Sequence, residues 1–270
     1  MKNYIETLDE LELRELMDTQ LKIQVDSSWP HEAVYLEEHG LSDARTVLDI
    51  GTGNAYLLCR LAERHPTKRF VGIESSDVLA ELARKEVAKR GLSNVEIVEA
   101  SCPIDGFERG FDFAFSRLAI YSTPDREAVI AWARERLRDG GKLIVLDVDH
   151  GYIWSWPHSE AWQHLFDAME VEMAPKGADR RIGHKLPHML LSAGFKEVKL
   201  DVKAWYSSFD MPPEKFRLLL CSMALLIHKV MPERFTKEDM DRFVEFSEKV
   251  AEDGTTTAYC PFLIASGVAR

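Results

Sequence analysis

The stretch IGTGNAY, residues 50–56, contains two glycines at a spacing that suits a ligand-binding turn. Gly51 and Gly53 lack a Cβ, so the backbone around them can pass close to a ligand. A dinucleotide-binding loop needs a third glycine where its helix packs beside the pyrophosphate, and Tyr56 occupies that place. The lysine of a nucleoside-triphosphate loop is absent as well. The turn therefore argues against NAD, FAD and NTP, and it favours a nucleoside cofactor that carries no phosphate.

Glu74 is the second residue whose position suggests chemistry. It ends an apolar run at residues 69–74 and lies 20 positions after Asn54. An acid at this distance from a glycine turn usually accepts the two ribose hydroxyls of a nucleoside. Such an acid needs both hydroxyls free, and its charge would repel a 2′-phosphate.

Short apolar runs alternate with amphipathic segments between residues 46 and 148, as strands and helices do when they follow one another. The predicted strands are 46–50, 69–74, 95–100, 111–116 and 142–148. The predicted helices are 55–65, 77–91 and a third that Thr123 caps, with Pro124 in its first position, and that ends before Gly140. This order predicts a parallel sheet whose strands all present their carboxyl ends at the edge where ligands bind.

The remaining segments complete the sheet and cover its ligand edge. Further strands are predicted at 197–206 and 257–269, and helices at 4–24, 159–173, 186–195, about 213–230 and 236–252. The sequence therefore predicts an α/β fold, with a doubly wound, mainly parallel seven-stranded sheet, helices on both faces and a helical lid. We expect an N-terminal helical cap at 1–45, a Rossmann-like cofactor-binding core at 46–150, and the rest of the sheet at 151–270. Lid insertions are expected at about 151–185 and 212–254.

Several stretches together resemble a known family. They are VLDIGTGNAYLLCRLAERHP (47–66), FVGIESSDVLAELARKEVAKRGLSNVEIVEAS (70–101) and FDFAFSRLAIYSTPDREAVIAWARERLRDGGKLIVLDVD (111–149). They resemble the successive motifs of class I S-adenosylmethionine-dependent methyltransferases. The stretch GADRRIGHKLPHMLLSAGFKEVKL (177–200) is similar to small-molecule members of the ubiquinone/menaquinone and natural-product type. The resemblance, over about 46–207, implies in-line transfer of a methyl group to an O, N or C nucleophile of a small, partly apolar metabolite, with S-adenosylhomocysteine as the second product.

The resemblance also implies a set of cofactor-binding residues. The glycine turn would line the methionine and ribose part, Glu74 would hold the ribose hydroxyls, and Ser75 would lie beside the adenine. Ser101 stands where the family often has an Asp for the adenine amino group, and the N–H of Cys102 can serve there. Arg117 would lie near the methionine end. The full set is Asp49, Gly51, Thr52, Gly53, Asn54, Glu74, Ser75, Ser101, Cys102 and Arg117.

The stretch DVDHGYIWSWPH, residues 147–158, leaves the sheet at the ligand edge and is rich in aromatic side chains. His150 suits a general base or an orienting group, because the pKa of histidine lies near neutral pH. Tyr152 and Trp154 can clamp a flat or apolar acceptor, or else form the underside of a lid. The acceptor-lining set is therefore predicted to be Tyr121, His150, Tyr152, Trp154 and His184, with His150 as the catalytic residue.

The amino-acid composition restricts the partners and the location that we expect for the protein. The net charge is −11, from 34 basic and 45 acidic residues, and an acidic surface repels nucleic acid. Four scattered cysteines without a C-x-x-C pair favour a reducing, cytoplasmic location. The sequence indicates no metal site and no membrane span. We expect a small-molecule acceptor as the partner, and a homodimer is compatible with the sequence.

Two other functions stay open at this point. One is an NAD-dependent oxidoreductase on a Rossmann sheet, against which Tyr56 argues. The other is a non-catalytic module that binds S-adenosylmethionine.

Overall fold

The computed structural model describes residues 10–209, 211–252 and 255–270, and these contain one sheet of eight strands. The strands are β1 (Thr46–Ile50), β2 (Arg69–Glu74), β3 (Val95–Glu99), β4 (Phe111–Arg117), β5 (Leu137–Val148), β6 (Trp154–Trp156), β7 (Lys196–Ser207) and β8 (Thr257–Val268). Their order is β3-β2-β1-β4-β5-β8-β6, and β7 pairs with the other edge of β8. Strands β1 to β5 are parallel, while β8 is antiparallel to its neighbours. The predicted mainly parallel, doubly wound fold is confirmed, and the short β6 is added to the seven predicted strands.

Helices alternate with the strands of the parallel half, and further helices surround the other half. They are α1 (Glu10–Leu36), α2 (Tyr56–Arg64), α3 (Asp77–Arg90), α4 (Arg126–Arg136), α5 (Glu160–Met173), α6 (Leu186–Ser192), α7 (Pro213–Val230) and α8 (Lys237–Glu252). Helix α1 continues 12 residues beyond the predicted end at 24, through Pro30, before a π-helical turn at Glu37–Leu41. The first part of the predicted helix, residues 4–9, and the end of the predicted lid insertion, 253–254, lie outside the described residues.

The helix after β4 begins later than the sequence suggests. The predicted cap, Thr123, instead donates its hydroxyl to the carbonyl of Ala119, and the helix starts at Arg126, preceded by Asp125. Residues 119–123 are thereby held in a tight turn directly after β4. This turn forms part of the ligand edge.

Two apolar cores cover the two faces of the sheet, because successive strand residues point to opposite sides. In β1, Val47 faces a core shared with α2, α5, α7 and α8, while Leu48 faces a core shared with α4 and α6. In β4, Phe113 and Phe115 belong to the first core and Ala114 to the second. The parallel strands are thus buried on both faces, as doubly wound sheets require. None of the described helices is long and apolar enough to span a membrane.

Candidate active site

A cavity of about 330 Å³ lies at the carboxyl ends of the parallel strands, under a roof of helices. One end is lined by the turn after β1 and by Glu74 and Ser75 after β2. The other end lies under the lid helices and is predominantly apolar. Its side chains include Trp162, Phe166, Met169, Met173, Phe216, Leu219, Leu220, Met223, Leu226, Ile227, Val230 and Met231. The cavity therefore has a polar end over β1 and β2 and an apolar end under α5 and α7.

The turn after β1 has the backbone that its glycines allow. Gly51 and Gly53 have φ angles of 79° and 60°, which L-residues rarely adopt. A Cβ on Gly51 would also collide with the side chain of Ala119. Ala55 has a φ of 56° although it is not a glycine, and it is the residue that precedes α2. The alternating left-handed residues turn the backbone away from the strand and leave Gly51, Thr52, Gly53 and Asn54 on the cavity wall.

Glu74 connects the end of β2 to this turn. Its Oε2 accepts the N–H of Gly53 at 2.9 Å, and its Oε1 accepts the N–H of Ser76 at 2.9 Å. Burial raises the pKa of Glu74, while the N–H donors of Ser76 and Gly53 act in the opposite direction. The carboxylate is thus fixed in place by backbone donors and faces the polar end of the cavity.

Asn54 and Tyr56 anchor α1 over the polar end. The Asn54 amide donates to Asp18 Oδ1 at 2.8 Å, while its Oδ1 accepts the N–H of Tyr56 at the start of α2. The Tyr56 hydroxyl donates to Asp26 at 3.2 Å, and the Arg90 guanidinium lies over the Tyr56 ring. The bulky residue in place of a third glycine therefore contacts α1.

Of the three residues predicted to lie near the adenine, one lines the cavity and two do not. Ser75 is exposed and lines the cavity. Ser101 is exposed, and Cys102 packs partly against the second apolar core, so neither is among the residues of the cavity wall. Burial, with a contribution from Glu74, raises the pKa of the Cys102 thiol to about 12. A thiol with this pKa is a poor nucleophile at neutral pH.

Arg117, at the end of β4, is buried and paired. Its Nε donates to Glu32 of α1 at 2.6 Å, and its Nη2 donates to the hydroxyls of Tyr206 at 2.7 Å and Ser28 at 3.2 Å. The side chain of Glu32 has no exposed surface, and that of Arg117 is 8% exposed. This pair joins α1 to the sheet, and Arg117 itself lines the cavity.

Two buried acids lie below the site. Burial raises the pKa of Asp49 and of Asp147 to about 7 each. Asp147 accepts the N–H groups of Tyr121 and Val148, both at 3.0 Å. These bonds fix the turn that carries Tyr121 into the cavity wall, whereas Asp49 is itself on that wall.

His150 lies behind the cavity wall, next to a residue that the sequence did not single out. Its Nε2 accepts hydrogen bonds from Nε and Nη2 of Arg180, at 3.0 and 2.8 Å. Burial, with the Arg180 charge acting in the same direction, holds the pKa of His150 well below 6.5, so the ring is neutral. Arg180 lines the cavity and packs over the ring of Tyr121, 4.2 Å from its centre. His150 is thus in contact with Arg180 and is not on the cavity wall, and its role as the catalytic residue stays a prediction.

The expected positions of Tyr152, Trp154 and His184 require correction, because none of the three is on the cavity wall. Tyr152 and Trp154 are 50% and 45% exposed, and Trp154 stacks on Trp156. The chain after β5 pairs with Thr257–Tyr259 of β8 as β6, and the two rings are exposed instead of facing the cavity. The half-exposed ring of His184 contacts Asp149 through Nδ1 at 2.7 Å.

Sequence reasoning missed several wall residues on the capping and lid helices. Gln20 of α1 is 2% exposed, lines the cavity, and has no hydrogen-bond partner for either amide atom. It lies one helical turn from Met17 and Gln24, which also line the cavity. The helical spacing of these residues was a signal that could have assigned this face of α1 to the site. In the described part of the chain, no group of three His, Cys, Asp or Glu side chains could hold a metal ion.

The sequence profile of a methyltransferase domain family matches residues 41–194, which is more than half of the chain. A tRNA (guanine-N(7)-)-methyltransferase of Lactobacillus acidophilus is 32% identical over 69 residues, 26% of this chain and 32% of that protein. Aklanonic acid methyltransferase DauC of Streptomyces sp. strain C5 is 32% identical over 99 residues, 36% of this chain and 45% of that protein. The chain thus spans less than half the length of these two curated relatives.

A solved structure extends the similarity to the fold. Phosphoethanolamine N-methyltransferase 2 of Haemonchus contortus, solved with phosphomonomethylethanolamine and S-adenosylhomocysteine, superposes with a TM-score of 0.55 at 17% identity. The superposition covers 83% of this chain and 48% of that one. At this identity the similarity establishes a shared fold.

Proposed function

The chain belongs to this family of methyltransferase domains, with the class I fold and S-adenosylmethionine as cofactor, and on that premise we propose that it methylates a small, partly apolar acceptor. The observation that carries the proposal is one continuous cavity with a polar end and an apolar end. The two relatives act, by their names, on a tRNA guanine and on aklanonic acid, so the acceptor class rests on the cavity. A predominantly apolar cavity under α5 and α7 suits a small organic molecule better than a charged polymer.

The residues of the polar end fit the cofactor. The tight turn at Gly51 and Gly53 brings backbone close to a ligand without a Cβ in the way. Glu74 is a buried carboxylate with the charge and position to accept the two ribose hydroxyls. The unpartnered amide of Gln20 supplies a donor and an acceptor from the capping helix. Ser101 and Cys102 stay predictions for the adenine, as does Arg117 for the methionine end.

When bound, S-adenosylmethionine supplies an electrophilic methyl group on a sulfonium. The chain's own residues align the acceptor and exclude water from it. The aromatic and methionine side chains of α5 and α7 form the apolar wall against which the acceptor would lie. Helix α1, tied down through Asn54 and Arg117, closes the cofactor end. We therefore propose α1 as the N-terminal cap and α5, α7 and α8 as the lid.

The test is acceptor-dependent formation of S-adenosylhomocysteine from S-adenosylmethionine. The purified chain is incubated with mixtures of small aromatic and aliphatic metabolites, and in a separate arm with bulk tRNA. The proposal predicts product formation with members of the small-molecule mixtures. Turnover with tRNA alone would contradict the acceptor class, and S-adenosylhomocysteine binding without any turnover would favour a non-catalytic module.

A further inference from the structure

Arg180 places a positive charge on the cavity wall without a carboxylate in direct contact with it. The residue is 8% exposed, and its guanidinium donates to the neutral ring of His150. Among the residues that the structure describes, no carboxylate lies within 4.0 Å of it. A buried charge without an ion pair costs several kcal/mol, so such charges are usually paired.

Arg117, which also lines the cavity, differs from Arg180 in having a carboxylate partner. The Arg117 guanidinium has the Glu32 carboxylate at 2.6 Å. Near Arg180 the acids are already engaged: Asp147 accepts two backbone N–H groups, and Asp149 accepts from Gly151 and His184. The guanidinium of Arg180 therefore interacts with Asp147 only at longer range and has no carboxylate hydrogen bonded to it, so it can bind an anion from the cavity.

The position of Arg180 assigns that anion to the acceptor. Its partner His150 follows β5, whereas Glu74 ends β2, three strand positions away across β1 and β4. With about 4.8 Å between neighbouring strands, this amounts to roughly 14 Å. The Arg180 side chain packs on Tyr121, and the cavity wall continues from there to Phe166 and Cys260. Arg180 thus lies at the acceptor end of the cavity.

We propose that the acceptor carries an anionic group, of the carboxylate class, that binds Arg180, with His150 as the positioning residue that holds the guanidinium. This inference rests on the proposed methyltransferase function and specifies its substrate class. The rest of the acceptor would contact the ring of Tyr121 and the apolar side chains of α5 and α7. A planar guanidinium binds a carboxylate through two parallel hydrogen bonds, which gives orientation as well as affinity.

Matched acid and amide probes test the proposal by binding. Calorimetry is done with saturating S-adenosylhomocysteine, using 2-naphthoate against 2-naphthamide and decanoate against decanamide. Because a hydrogen bond to a charged group contributes about 1.5–3 kcal/mol, the acid of each pair should bind wild type about 10–100-fold more tightly. Arg180→Gln should remove the preference, and Arg180→Lys should retain part of it. The control Arg181→Gln, which alters the adjacent exposed arginine, should behave as wild type.

Three outcomes would overturn the proposal: equal binding of acid and amide by wild type, no binding of any probe, or a preference that survives in Arg180→Gln. A loss of S-adenosylhomocysteine affinity in Arg180→Gln would also overturn it, since the residue would then serve the cofactor. If Arg180→Gln does not fold, the wild-type comparison of acid with amide still decides. Failure of the proposed function is distinct, because wild type would then not bind S-adenosylhomocysteine at all.

Discussion

The Glu74 carboxylate accepts the backbone N–H of Gly53 at 2.9 Å, which joins the end of β2 to the glycine turn after β1. The bond orients a buried acid toward the cavity and fixes the turn that would pass beneath the cofactor. Both groups that suggest a nucleoside site in the sequence therefore belong to one hydrogen-bonded unit.

Glu74→Gln is expected to weaken S-adenosylhomocysteine binding. The amide keeps the shape of the side chain but loses a charged acceptor for the ribose hydroxyls, which is worth about 1.5–3 kcal/mol, or roughly 10–100-fold in Kd. Calorimetry gives the Kd. The matched control is Glu99→Gln, which alters the register neighbour of Glu74 on β3, an exposed residue. Equal affinities of the two variants would remove Glu74 from the cofactor site.

Glu32→Gln is expected to destabilise the fold, because it leaves the buried Arg117 guanidinium without its carboxylate. Breaking a buried pair from one side typically costs about 3–5 kcal/mol. Urea unfolding measures the loss. The exposed pair of Glu238 and Arg242 supplies the control, since Glu238→Gln should change the free energy of unfolding by less than about 0.5 kcal/mol. If both variants lose a similar free energy of unfolding, the buried pair stabilises the fold no more than the exposed one.

Asp147→Asn is expected to change how stability depends on pH. Burial raises the pKa of Asp147 from an unfolded value near 3.8 to about 7 in the fold. The native state therefore holds a proton that the unfolded state has released, and the contribution of Asp147, complete below pH 4, is lost as pH rises to about 7. Asparagine does not ionise, so the free energy of unfolding of the variant should rise relative to that of wild type as pH increases from 4 to 7. The expected rise is about 1.4 kcal/mol for each unit by which the pKa is shifted.

Free energies of unfolding at pH 4 and pH 7.5, for wild type and Asp147→Asn, test this sign. A difference between the two proteins that is the same at both pH values, or that moves against the variant as pH rises, would show that Asp147 does not titrate as described.

Met223→Trp is expected to impair acceptor use while sparing the cofactor. Met223 lines the apolar end of the cavity from α7. Fitting the larger indole ring of tryptophan there costs about 1–3 kcal/mol. The KM for the first acceptor found by the methyl-transfer assay should rise by roughly tenfold or more. Leu218→Trp, which changes an exposed residue of the same helix, is the control. A larger effect on S-adenosylhomocysteine affinity than on acceptor KM would show that this end of the cavity binds the cofactor and not the acceptor.

The fold was accessible from sequence because its signals are local. Apolar runs fix β1 to β5, the glycine turn and Glu74 fix the ligand edge, and the crossover rule then fixes parallel pairing. The antiparallel placement of β8 between β5 and β7 depends on pairings between residues far apart in the chain. Periodicity contains no information on such pairings.

The acceptor end was less accessible for the same reason. Trp154 is exposed and outside the cavity wall, on a strand that pairs with Tyr259 about a hundred residues away, and nothing in WSWPH indicates that partner. Arg180 and Gln20 look like ordinary polar residues in sequence, since burial of a single charge or amide is decided by packing. The sequence predicts His150 at the site, but in the structure its hydrogen-bond partner Arg180 lines the cavity instead.

Calorimetric titration of the wild-type chain with S-adenosylhomocysteine and, separately, with NADH tests the central claim most directly. The account predicts saturable binding of one S-adenosylhomocysteine per chain and no measurable heat from NADH, because the turn at Gly51 and Gly53 lacks the third glycine of a pyrophosphate loop. Binding of NADH with no response to S-adenosylhomocysteine would contradict it and favour a nicotinamide oxidoreductase.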